Sequence, residues 1–489
     1  MKTHTLLHMM EMSGTSKRYT PRGYQEYILQ KTVENRNSNL LLELDCGLGK
    51  RFITHQIVAQ RFPNLRFLIV VHSSSSLVET VQYLRGEYGG LDDELGELSS
   101  RTPTGLRVRW LNEKRVIVAT PQVLAGVLER HPEAASGIDA VLINEVDTLV
   151  RRSGGLTALV YPWPTLLSQL KDKWIIGMSG TLRDDHAVFS KDQVEIRQEL
   201  ATLREYIPNA VLISMEDLYG TDVSDYIEPT LLQMERVTDI KVRSVSIVLD
   251  ELIRDCRQQI VNELEESDNL GLIEGDSRRI YLLLDTLPVS DELKSQYGGL
   301  LMLRKYVYGM PPRRFIRMFY EEPVKHHFNL SQLRRSLPEV SSKAVRVLAI
   351  AKRFEKVLVL TSYLEMVKDI QTLLERSGLN SLALTGQTTN KGEVLRAFRE
   401  DEAVRVLVMS PVGERDLDIP HAQVMVVCDV INTTKTMYQK VKRTRGGLVI
   451  LLTYSGTSEE RKVTRLMSSI VEKYPWSSAI MQTESESLR

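Results

Sequence analysis

The stretch Leu41-Leu42-Glu43-Leu44-Asp45-Cys46-Gly47-Leu48-Gly49-Lys50-Arg51 decides how the chain is read. An apolar run meets Gly-Leu-Gly-Lys, and Phe52-Ile53-Thr54-His55-Gln56-Ile57-Val58 then begins a helical pattern. Strand, glycine turn, lysine and helix are the parts of a phosphate cradle. Glycines let backbone N–H groups face phosphates, and the lysine reaches the terminal ones. Two positions depart from that pattern. Leu44 stands where the first glycine is usual, and Arg51 stands where a Ser or Thr hydroxyl would bind Mg²⁺.

Outward from this turn, short β-branched runs alternate with helical patterns. Strands are expected at 40–44, 66–71, 116–119, 140–143 and 175–178, with an acidic loop at 92–105. Each buried run ends in polar residues: Thr120-Pro121-Gln122, Asn144-Glu145-Val146-Asp147 and Ser179-Gly180-Thr181. This alternation predicts an α/β fold with a parallel sheet, whose ligands bind beyond the C-terminal strand ends.

The middle of the chain changes period. Val245, Val248, Leu249, Leu252, Cys256, Ile260 and Leu264 recur at three- and four-residue spacing, a helical signature. Between Arg304 and Arg317 the chain carries Arg304, Lys305, Arg313, Arg314 and Arg317 with no acid, among Tyr306, Tyr308 and Phe315. Arg313 and Arg314 are candidate phosphate contacts on a helix surface that core aromatics alone would also explain. A second α/β segment follows, with strands at 357–360, 381–384, 404–409, 424–427 and 448–453. The division drawn is 1–236, 237–338 (helical insertion) and 339–489.

With 489 residues the chain exceeds a single core and divides into roughly two to four domains. Lys+Arg and Asp+Glu both number 63, so any nucleic-acid surface is a local patch. Cys46, Cys256 and Cys428 lack metal or disulfide spacing, which fits a reducing, cytoplasmic compartment. No apolar run approaches the roughly 20 residues that span a bilayer, so no membrane partner is expected.

The order of the strand-end motifs is more specific than any one of them. Pro21-Arg22-Gly23-Tyr24-Gln25 precedes the phosphate turn, and Thr-Pro-Gln, Asn-Glu-Val-Asp and Ser-Gly-Thr follow it. The second half adds Thr385-Gly386-Gln387, Val412-Gly413-Glu414-Arg415-Asp416-Leu417-Asp418-Ile419-Pro420 and Gln439-Lys440-Val441-Lys442-Arg443-Thr444-Arg445-Gly446. Together they resemble the superfamily-2 helicases, in wording closest to the archaeal Hef/FANCM branch.

The resemblance implies two RecA-like parallel-sheet domains with an intervening helical insertion, ATP between them and nucleic acid across their tops. By position, Arg22 and Gln25 would read adenine, and Gly47, Gly49 and Lys50 would hold phosphates. Glu145 would orient the attacking water, Asp418 would lie near the ribose, and Arg443 would face the γ-phosphate. Ser179 and Thr181 would couple hydrolysis to domain movement, while Thr120, Thr385 and Gly386 would touch the nucleic-acid backbone. The implied partner is branched or double-stranded DNA in preference to RNA, at the nucleoid, with a nuclease or repair protein supplied separately.

The departures are chemical. Asn144 replaces the aspartate that anchors the Mg²⁺ hydration shell, keeping an oxygen without its charge. Arg51 is expected to take over part of the cation's electrostatic role. Lys442 replaces a glycine, Arg445 falls one place early and Asp416 replaces another glycine. A missing arginine finger costs about 10³ to 10⁵ in rate. The expectation is a helicase-type protein that binds nucleotide and nucleic acid with impaired hydrolysis. The alternative is a pseudo-helicase serving as a nucleic-acid-binding scaffold.

Overall fold

The computed structural model describes residues 20–85, 91–151, 158–189, 194–227, 230–273, 280–281, 283–321, 337–410, 421–429, 433–442, 447–476 and 481–482. Two seven-stranded parallel sheets dominate it. The first is built from β1 (Leu40–Glu43), β2 (Phe67–Val70), β3 (Leu95–Leu98), β4 (Val116–Ala119), β5 (Ala140–Asn144), β6 (Trp174–Ser179) and β9 (Val211–Ile213). Its spatial order is β3-β4-β2-β5-β6-β1-β9. A separate antiparallel ribbon is formed by β7 (Asp185–Phe189) and β8 (Val194–Gln198).

The second sheet contains β10 (Leu231–Val237), β11 (Val357–Leu360), β12 (Asn380–Leu384), β13 (Val404–Met409), β14 (Val424–Val427), β15 (Leu448–Tyr454) and β16 (Met481–Gln482). Its order is β12-β13-β11-β14-β15-β10-β16. The two parallel-sheet lobes therefore match the expected fold class.

Two local readings change. Part of the acidic segment expected as a loop is β3, which pairs in parallel with β4 from Leu95↔Val116 to Leu98↔Ala119. An edge strand carrying Gly96 and Glu97 has little apolar content, so its pairing comes from the neighbour. Meanwhile β10 runs across the 236/237 division, nearly all of it on the first-domain side, but pairs with β15 over seven residues. The first strand of the second sheet thus precedes the helical insertion.

Burial follows the strand period. In the first sheet, Leu42, Ile69, Val118 and Leu142 enter one core, whereas Leu41, Val70, Ile117 and Val141 enter another on the opposite face. The former core continues into the second lobe through Leu358, Leu360, Met409, Met425 and Val427. The opposite face of the second sheet, with Val357, Val359, Val406 and Val408, joins Val245, Leu249, Cys256, Ile260 and Leu264 of the insertion. The insertion helices Ile240–Glu266 and Asp291–Gly309 consequently share a core with the second lobe. Among the described residues, no helix is long and apolar enough to cross a membrane.

Candidate functional site

The glycine turn begins where β1 leaves the first sheet. Leu44 N–H donates to the Ser179 carbonyl at 2.9 Å, so the turn and the end of β6 are held side by side. Gly47 and Gly49 have φ of +87° and +85°, the left-handed region that disfavours a Cβ. At Gly49 a Cβ would also come within 2.7 Å of Gln25 Nε2, whereas nothing lies within 4 Å of one at Gly47. The turn is thus packed from below and open above Gly47.

Helix Gly23–Glu34 supplies that packing. Tyr24 Oη donates to the Leu48 carbonyl at 2.9 Å, and Gln25 Nε2 donates to the same oxygen at 3.3 Å. Asp222 receives the Gly23 and Tyr24 N–H groups at 3.0 and 2.7 Å. The Arg22 guanidinium lies 3.9 Å from the centre of the Tyr226 ring, and Arg22 itself is exposed. Arg22, Gln25, Gly47 and Gly49 are therefore brought together at one end of the sheet.

Lys50 reaches Glu145 at the end of β5, with Nζ 3.0 Å from Oε1. Burial disfavours the ammonium, but the neighbouring Glu145 and Cys46 outweigh it and hold the lysine above its ordinary pKa. Glu145 has φ of +54°, unusual for a residue with a side chain. Such a conformation costs roughly 1–3 kcal/mol and survives only where surroundings enforce it. Here the Glu145 carbonyl accepts from Thr148 N and Oγ1 at 2.9 and 2.7 Å.

Arg51 does not take up the cation's place. It pairs instead with Glu79 on helix Ser74–Arg85, leaving 45% of its side chain exposed. A carboxylate on the neighbouring helix satisfies the guanidinium away from the turn. Asn144 Oδ1 is buried with no hydrogen-bond partner among the described residues. Among those residues, no group of three or more His, Cys, Asp and Glu side chains is arranged to hold a metal. The neutral Asn144 and the diverted Arg51 do not fit a Mg²⁺ site. The open glycine turn and Lys50 do fit a phosphate chain.

Helix Thr434–Val441 of the second lobe enters this cleft. Lys435 Nζ lies 2.8 Å from Asp147 Oδ2 and 2.7 Å from Glu199 Oε1, all three side chains being almost fully buried. Asp147 also receives the Ser179 hydroxyl at 2.7 Å, and that hydroxyl accepts the Thr181 N–H at 3.3 Å. Tyr438 Oη donates to Asp45 Oδ1 at 2.7 Å, and Lys442 Nζ stands 3.3 Å from Asp45 Oδ2.

Trp476 Nε1 donates to Tyr438 Oη at 3.0 Å, while Tyr474 stacks on the Tyr438 ring at 4.0 Å. Arg183 stacks its guanidinium over Trp476 and pairs with Glu43 at 2.7 Å. The lobes are thereby joined along one continuous buried seam.

Charge counting explains the protonation within that seam. One ammonium faces two carboxylates, in a setting where an unpaired buried charge is costly. Burial, only partly opposed by Lys435 and reinforced by Asp147, pushes the Glu199 carboxyl up to about 8. Burial also works against the Lys435 ammonium, but Asp147 and Glu199 reverse the balance and raise its pKa.

Other expected residues are distributed differently. Thr120 is buried at the end of β4, where helix Pro121–Leu128 begins. Thr385 and Gly386 follow β12; Thr385 N–H donates to Thr388 Oγ1 at 2.9 Å, and Gly386 is exposed. Arg313 donates to Asp369 at 2.9 Å, and Arg314 lies 3.6 Å from Glu365. Both arginines therefore tie the insertion to helix Leu364–Arg376. Asp418 and Arg443 lie outside the described residues.

Sequence reading missed Lys435, Tyr438, Glu199 and Trp476. A signal existed in the spacing of Lys435, Tyr438 and Lys442, which puts three polar groups on one helical face. Nothing local distinguished that face from a solvated one.

Comparison with known proteins follows the same division. The family described as type III restriction enzyme, res subunit, matches residues 18–184, and the helicase conserved C-terminal domain matches 341–447. The chain is 25% identical over 234 residues to the ATP-dependent rRNA helicase RRP3 of Encephalitozoon cuniculi. That alignment covers 46% of this chain and 54% of the relative, so the chain spans about half the length of that curated protein.

The crystal structure of the Pyrococcus furiosus Hef helicase domain superposes with a TM-score of 0.59 at 19% identity. It covers 92% of this chain and 98% of that one, a likeness of fold. With the res-subunit family matched in the first lobe, the helicase C-terminal family in the second and the Hef fold spanning both, the chain resembles a superfamily-2 helicase of the Hef type.

Proposed function

We propose that this protein is a nucleotide-responsive clamp for branched or duplex nucleic acid, with DNA favoured over RNA, that hydrolyses ATP slowly. The observation carrying this reading is the convergence of Lys50 and Glu145 from one lobe with Lys435, Tyr438 and Lys442 from the other. Nucleotide in this cleft would bear on both lobes at once, and so on any strand held between them. The phosphates would take Lys50 from Glu145, and the freed Glu145 carboxylate would orient a water. Arg22 and Gln25 would contact the base, with Asp418 at the ribose and Arg443 at the γ-phosphate. Asp147, bonded to both Ser179 and Lys435, would transmit the change between lobes.

A non-hydrolysing scaffold is favoured by one further observation: Glu145, Asp147 and Asp45 are each already paired with a lysine. Turnover would require displacing at least one of these pairs. A nucleic-acid-stimulated ATPase assay with a Lys50→Ala control separates the readings. Slow turnover that forked DNA stimulates and Lys50→Ala abolishes supports the clamp with hydrolysis. Equal fork binding by both proteins, with no turnover in either, makes it a scaffold. Binding to neither duplex, fork nor RNA refutes both.

A further inference from the structure

The charges around the glycine turn do not suit a metal–nucleotide complex. Magnesium prefers six oxygen ligands at short range and is usually held by carboxylates or through its waters. Of the two positions flanking the phosphates, Arg51 is drawn off to Glu79 and Asn144 offers only a neutral oxygen. The nearby carboxylates are also engaged. Glu145 holds Lys50 at 3.0 Å, Asp147 holds Lys435 at 2.8 Å and Ser179 at 2.7 Å. Asp45 holds Tyr438 at 2.7 Å and Lys442 at 3.3 Å. At Asp147 and Asp45 a divalent ion would have to separate a buried carboxylate from its ammonium before gaining a ligand. Breaking such a pair on one side is strongly unfavourable.

The same arrangement carries an alternative source of positive charge. Lys50 approaches the turn from the first lobe, and Lys442 approaches it from the second at Asp45, two residues before Gly47. The Lys442 side chain is 4% exposed, so its interactions are little screened by water. Tyr438 also donates to Asp45, so that carboxylate retains a hydrogen bond if Lys442 turns to another anion.

We infer that this protein binds its nucleotide without a divalent cation, with Lys442 of the second lobe supplying the charge that the ion supplies elsewhere. The inference rests on the nucleotide reading given above. It also gives Lys442, which stands in place of a glycine, a specific role: the unchelated triphosphate would draw the second lobe onto the turn through it.

The test is titration calorimetry of the full chain with ATP, once with excess Mg²⁺ and once with EDTA. The expected result is affinity within about twofold in the two conditions. Lys442→Gln should weaken binding about tenfold in EDTA, Lys442→Arg should retain it, and Lys50→Ala should remove it. Affinity that falls about tenfold or more in EDTA overturns the inference while leaving nucleotide binding intact. Unchanged affinity in Lys442→Gln overturns the role given to Lys442. Absence of ATP binding in both conditions instead removes the nucleotide reading itself.

Discussion

Lys343 and Lys435 are both buried lysines of the second lobe, yet they answer to different events. Lys343 is fully buried and donates to Glu459 and to the Cys428 carbonyl, each at 2.6 Å. The Tyr454 ring lies 4.9 Å away, and Glu459 also accepts the Tyr454 N–H at 2.9 Å. Every partner comes from the same lobe. Lys435 instead finds both of its carboxylates, Asp147 and Glu199, in the opposite lobe. One pair forms as a lobe folds, and the other forms only when two folded lobes meet. Burial alone does not distinguish them; the origin of the partners does.

The largest effect is expected from Lys343→Met. It leaves Glu459 as an unpaired buried charge inside a folded core, at a cost of about 3–5 kcal/mol. Denaturant unfolding should show the second lobe losing that stability. A midpoint equal to the parent's would break the comparison from its strong side.

Lys435→Met should act differently and cost less, because the lobes can part and return Asp147 and Glu199 to water. The expected outcome is a larger radius of gyration by small-angle scattering, with the melting of each lobe nearly unchanged. Retained compactness, or destabilisation as severe as in Lys343→Met, would erase the distinction between the two lysines.

The smallest effect concerns pH. In the closed seam the Glu199 carboxyl sits at about 8, against an ordinary value of 4.5. Between those values the closed form keeps a proton that the open form releases. Closure is therefore strongest at the acid end of this window and weakens as pH rises through about 8. A fluorescence-transfer pair spanning the lobes should lose efficiency from roughly pH 6 to pH 9, and Glu199→Gln should flatten the profile. The opposite slope would assign the proton to another group.

Much of the architecture was legible because buried parallel strands leave a local record. β1, β2, β4, β5 and β6 are short apolar runs buried on both faces, and each was readable from its own residues. β3 and β9 were not: Leu95–Leu98 includes Gly96 and Glu97, and Val211–Ile213 is three residues long. Their pairing belongs to the sheet edge they complete. The predicted glycine turn likewise appears at the end of β1, with Gly47 and Gly49 at positive φ. Arg313 and Arg314 read as a basic surface because Asp369 and Glu365, which pair with them, lie about fifty residues away.

By itself, the sequence determined the two α/β lobes, the helical segment between them and the glycine turn. Strand burial, helical period and glycine conformation are properties of neighbouring residues. Only the tertiary structure decided what the charges do. It sent Arg51 to Glu79, gave Asp45 to Tyr438 and Lys442, and set Lys435 between Asp147 and Glu199. The physical reason is that an ion pair depends on distance and burial in space. Lys435 and its two partners are separated by hundreds of residues in the chain, and only closure of the two lobes brings them within 3 Å.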